Sequence, residues 1–131
     1  MGTPIFHMIS GAPTPVAPYS HVVEIDGWLF VTGQLATGVG NDLAALRDGI
    51  EAQTHKVMQN LQTVLAGVTA GLENVVAARV FLTHFEEDYE KANQVYASYF
   101  PTNKRPARTC VGVTALAGGG RVEIDLVARR P

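Results

Sequence analysis

The chain has 131 residues, 47% of them apolar and only 17% charged, with a formal net charge of −2. That length suits a single domain, 1–131, able to bury a core without staples, and the lysines and arginines are too scattered to offer nucleic acid an electrostatic footprint. The charged fraction falls below the roughly 25% usual for a soluble domain, which points to a surface partly covered by further copies of the chain.

Cys110 is the only cysteine, so no disulfide can form within the chain, as fits a reducing compartment. The first fifteen residues lack a basic run followed by a long apolar one. No window reaches the ~20 apolar residues of a membrane span. A cytoplasmic protein with no membrane partner is expected.

Residues 10–18, SGAPTPVAP, hold three of the seven prolines and read as irregular, extended chain. SHVVEI, DG and WLFVTG then read as strand, tight turn and strand, because Asp-Gly between β-rich runs is a strong hairpin signal. QLATGVGND is a glycine-bearing loop. From Asp42 to Ala70 there is no proline. Ile50, Val57, Met58, Leu61, Val64, Leu65 and Val68 recur largely at spacings of three and four, which predicts a helix capped at Asn41 or Asp42 and ended at Gly71. NVVAARVFLTH is nearly continuous apolar sequence, as expected of a strand central in its sheet. FEEDYEKANQVYASYF predicts a second helix with Tyr89, Ala92, Tyr96 and Tyr99 or Phe100 facing inward, stopped by Pro101. ARTCVGV and RVEIDLVAR follow as strands around a GGG turn. The last strand puts Val122, Ile124, Leu126 and Ala128 on one face and Glu123, Asp125 and Val127 on the other. Together these predict an α+β fold, one mixed β-sheet with two helices packed on one face and hairpins at both ends of the chain. The open sheet face would then want a partner subunit.

The chemistry-bearing residues are few. His7, His21, His55 and His84 have no metal-ligand spacing, so no metal is expected. TGVG and AGGG lack the Lys-Ser/Thr of a phosphate loop and read as turns. There is no G-x-S-x-G elbow, and Cys110 reads as a small core residue without a base identifiable in the sequence. What remains is RPARTCVGV, where Arg108 shares a strand face with Cys110 and Gly112. A guanidinium is costly to enclose unless an anion meets it. With the last two strands expected side by side, Glu123 could be that anion in a cross-strand pair. Alternatively Arg108 grips a ligand carboxylate with its planar fork and Glu123 orients or deprotonates a water. The pattern leaves both open.

APYSHVV followed by LFVTGQLA resembles the opening signature of the reactive-intermediate deaminase family, also called the Rid, YjgF or endoribonuclease L-PSP-like family. NLQTVLAGVTAGLENVVAARVFL resembles its helix-to-strand core, and ANQVYASYF, RPARTCVGV and RVEIDLVA its C-terminal signature. The resemblance runs from Ala17 to Ala128 in the family's order. It implies a chorismate-mutase-like (YjgF-like) fold, a homotrimer with clefts between subunits, and no cofactor. It further implies a hydrolase of C=N bonds, a 2-iminobutanoate/2-iminopropanoate deaminase type. Such an enzyme turns reactive 2-imino acids released by pyridoxal-phosphate enzymes into 2-oxo acids and ammonia.

Carried over by position, the resemblance makes Arg108 the residue that binds the substrate carboxylate and Glu123 the one that positions the attacking water. Tyr19 lines the cleft, backbone groups of Gly33 and Cys110 hold substrate or water, and Asn93 supports the arginine. The sequence departs from the family pattern in three places. Ala17 stands where glycine is usual before Pro-Tyr, the loop after Gln34 lacks a common proline, and LAGGGR replaces a Leu-Pro turn. The rival reading is a non-catalytic or regulatory member that holds a small 2-imino or 2-oxo carboxylate. A ribonuclease is a weaker rival, because neither a basic groove nor a stacking platform is evident and no nucleic-acid partner is expected.

Overall fold

The computed structural model describes residues 2–131. Six strands, β1 (Ile5–His7), β2 (Val22–Ile25), β3 (Trp28–Gln34), β4 (Val75–Leu82), β5 (Ala107–Gly112) and β6 (Val122–Arg129), form one sheet in the order β1-β2-β3-β6-β4-β5. Only β4 and β5 run parallel; the other neighbours are antiparallel. Helices α1 (Ile50–Gly67) and α2 (Phe85–Ala97) complete the predicted mixed α+β sheet.

The opening hairpin forms as its sequence dictates. Asp26 and Gly27 both take positive φ, 50° and 82°, the pairing a tight turn of right-handed twist requires. The closing hairpin does not form. Two strand–helix–strand crossovers, β3-α1-β4 and β4-α2-β5, leave an empty lane between β3 and β4. Residues 113–121 carry the chain back across the end of β4, and β6 fills that lane. Burial explains the choice. Val122, Ile124, Leu126 and Ala128 are each at most 2% exposed, and a central lane with α1 packed over it covers all four side chains.

Helix α1 starts eight residues later than Asp42. Residues 44–47 make a separate 3₁₀ turn, and Gly49 rather than Asn41 or Asp42 precedes the first helical residue. Gln53 imposes this break. Fully buried, it donates its amide to the carbonyls of Leu46 and Asp48 and accepts from the Arg121 N–H at the head of β6. The inner stripe of α1, Val57, Met58, Leu61, Val64 and Leu65, is wholly buried against Leu29, Val31 and the inner row of β6. Helix α2 buries Ala92, Val95 and Tyr96, with Phe100 below them. It ends at Ala97, before Pro101.

β1 is a third N-terminal strand paired along β2. The opposite sheet face remains uncovered in the single chain. Trp28 and Phe30 are 41% and 48% exposed there, with Arg129 over the Trp28 ring and Arg79 over the Phe81 ring at 5.3 and 5.6 Å. No helix among the described residues is long and apolar enough to cross a membrane.

Candidate active site

The strand order decides where Arg108 and Glu123 stand. Arg108 pairs with Ala78 and therefore points to the helix side of the sheet. Glu123 pairs with Phe81 and points to the open side, next to Asp125. With β4 between their strands and the sheet between their side chains, the expected cross-strand ion pair is absent. Neither residue has a salt-bridge partner among the described residues.

Arg108 sits half-buried on the edge strand, its guanidinium carbon 5.0 Å above the ring of Tyr96. The aromatic face holds the cation without neutralising it. Asn93, one helical turn before Tyr96, lines the same hollow of about 260 Å³. It makes no hydrogen bond to Arg108, and the contact on the guanidinium is the Tyr96 ring. The Tyr96 hydroxyl is buried without a hydrogen-bond partner among the described residues, and burial raises its pKa. Cys110 follows on the same strand face. Burial pushes its thiol up, with nearby Arg108 pulling the other way, so the thiol stays protonated at neutral pH and is a poor nucleophile.

The second group of predicted residues gathers around the end of β3. Tyr19, on the proline-rich segment, and Gly33 line a separate hollow of about 240 Å³ together with Gln34, Leu43 and Leu46. The register of β3 against β6 shifts between Val31 and Gln34, so Gly33 lies in a bulge. Its missing side chain is filled by Glu123: a Cβ on Gly33 would lie 2.1 Å from Glu123 Oε2. Burial first, and then the adjacent Asp125, raise the Glu123 pKa. Asp125 itself is committed to Arg79 through two hydrogen bonds of 3.0 and 2.6 Å.

These contacts predict the effect of Gly33→Ala. The added methyl must push the Glu123 carboxylate aside, and since only the end of a flexible side chain moves, stability should change by less than about 1 kcal/mol. Activity that depends on Glu123 should fall about tenfold or more. Parallel melting curves and steady-state kinetics of the variant check both halves.

One residue of this region escaped the sequence reading. His21, 2% exposed, accepts from the Ile9 N–H at Nδ1 and meets the Pro13 carbonyl through Nε2, both at 2.8 Å. It thereby ties the proline-rich wall that carries Tyr19 to β2. No spacing rule marks a lone histidine for such a role.

The six-stranded sheet with both helices on one side defines a chorismate-mutase-like α+β protein. Residues 9–130 match the family model described as Endoribonuclease L-PSP, and the chain belongs to that family, the Rid or YjgF family. It is 38% identical over 120 residues to a RutC family protein of Synechocystis, covering 92% of each chain. It is 36% identical over 118 residues to a protein named 3-aminoacrylate deaminase RutC from Acinetobacter baylyi, covering 90% of this chain and 91% of that one. Among solved structures, yeast Mmf1 superposes with a TM-score of 0.90 at 29% identity, over 98% of this chain and 100% of the other. RidA from an Antarctic Psychrobacter gives 0.82 at 31% identity, over 91% and 94%.

Proposed function

We propose that the protein is a 2-imino acid deaminase whose active site closes between subunits of a homotrimer. The observation that carries this reading is the division of labour within one chain. An arginine held against an aromatic ring, with no protein anion, lies on one side of the sheet. A half-buried carboxylate with a raised pKa lies on the other. A second copy set against the open face would bring the two together. The exposed Trp28 and Phe30 favour such packing. The name of the Acinetobacter relative supports deamination of a small carboxylate.

In the proposed reaction Arg108 binds the substrate carboxylate with two parallel N–H donors and fixes the imine carbon. Glu123 accepts a proton from water as its oxygen bonds to that carbon, and the C=N electron pair moves to nitrogen, which takes up a proton. The resulting tetrahedral amino alcohol collapses. Glu123 has by then passed the first water proton to the nitrogen, and it relays the hydroxyl proton to the amino group as the C–N bond breaks, so that the 2-oxo acid and ammonia leave. One water is consumed for each imine, and Glu123 returns to its ionised form.

A second reading is binding without turnover. Its support is that no carboxylate lines the hollow around Arg108 in its own chain. The test generates 2-imino acids with an amino-acid oxidase in the presence of semicarbazide. A deaminase lowers semicarbazone formation. A protein that leaves it unchanged for small and bulky imines, yet binds 2-oxo acids, is a binding member of the family. A ribonuclease is disfavoured because Arg79, Arg121 and Arg130, which a basic groove could use, are each committed to a carboxylate.

A further inference from the structure

The hollow around Arg108 is lined by a second arginine. Arg105 lines it as well, three residues earlier on the same segment, and no acidic side chain does. Most other arginines of the chain are tied to protein oxygens: Arg79 to Asp125, Arg121 to Asp88, Arg130 to Glu24 and Arg129 to the Asp26 carbonyl. Arg105 and Arg108 have no acceptor among the described residues. Two cationic residues lining one hollow suit an anion with two charges.

The two cations differ in setting. Arg108 is half-buried and braced by Tyr96, whereas Arg105 is exposed at the rim. Pro106 between them limits the backbone that links them. The inner arginine suits the carboxylate that every substrate shares. The outer one can swing to meet a variable group. The volume, about 260 Å³, is below the roughly 300–1,000 Å³ of drug-sized sites and suits a small ligand.

We infer that Arg105 reads a second carboxylate, making 2-imino dicarboxylates with short acidic side chains the preferred substrates; this rests on the deaminase reading and specifies its substrate class. Arg105 leaves the bond-making steps untouched and acts through KM.

The test compares imines made by oxidising aspartate and glutamate with those made from alanine and leucine, using wild type, Arg105→Gln and Arg105→Lys. The readout is the ratio of kcat/KM for acidic over neutral imines. Wild type should favour the acidic imines. Arg105→Gln should lower the ratio tenfold or more, equivalent to about 1.4 kcal/mol, mainly through KM, and Arg105→Lys should restore most of it. A ratio unchanged in Arg105→Gln, or a wild type that prefers neutral imines, overturns the inference and leaves the deaminase reading standing. If no imine is hydrolysed, the deaminase reading fails and calorimetric titration decides the rest. Tighter binding of 2-oxoglutarate than of 2-oxobutyrate, lost in Arg105→Gln, upholds recognition of a second carboxylate; equal binding overturns it.

Discussion

Arg108→Ala should lower kcat/KM for imine hydrolysis by a hundredfold or more while leaving the protein folded. The magnitude follows from removing one partner of a charge-assisted, two-bond contact with the substrate, worth about 2–5 kcal/mol when partly shielded from water. The mild effect on folding follows from what Arg108 touches. It has no protein anion to orphan, and its stacking on Tyr96 contributes about 0.5–2 kcal/mol. Arg108→Lys should recover only a small part of the activity, since an ammonium supplies charge without the planar fork. Steady-state kinetics with melting curves checks this. An alanine variant that is folded and fully active would remove Arg108 from the site.

Glu123→Gln should reduce kcat by about a hundred- to ten-thousandfold, the range of a lost general base, with little change in KM. Here stability and activity should move in opposite directions. Burial and Asp125 raise the carboxyl pKa, so the folded state favours the protonated form. The associated stability is present at low pH and is lost as pH rises through the folded pKa. At neutral pH the ionised carboxylate therefore weighs against folding, and Glu123→Gln should melt no lower than wild type. The same shift sets the acid limb of the rate profile. In wild type, kcat/KM should fall with decreasing pH at a value above the ordinary carboxylate 4.5. Asp125→Asn should move that limb to lower pH by removing the neighbouring negative charge. A Glu123→Gln protein with unaltered kcat, or a limb that ignores Asp125, would contradict the assignment of Glu123 as base.

The sequence carried the local structure well where a local cause exists. Asp26-Gly27 needs two positive φ angles, and the hairpin is there. The apolar stripe from Val57 to Leu65 marks the buried side of α1. The alternation in β6 marks its inner row, and with it the side on which Glu123 stands. What was not legible is set by partners distant in sequence. The late start of α1 depends on Gln53 reaching Arg121, 68 positions away. The placement of β6 depends on an empty lane created by two crossovers, which no window over residues 107–129 can reveal. That one topological fact separated Arg108 from Glu123 after the pattern had set them side by side. Tyr96 and Arg105 were passed over for a related reason. A tyrosine at helical spacing looks like core, and it is core, yet its ring also braces the arginine.

The opposed placement of Arg108 and Glu123 has a genetic consequence. On the proposed assembly each cleft draws its arginine from one subunit and its glutamate from the next, so two different loss-of-function alleles can rescue one another. Mixed at equal levels, Arg108→Ala and Glu123→Gln chains should rebuild about a quarter of the clefts with both groups intact, by chance pairing around a closed ring. A cell carrying both alleles would then regain activity that neither allele supplies alone, whereas a protein whose clefts each belong to one chain would show no such recovery.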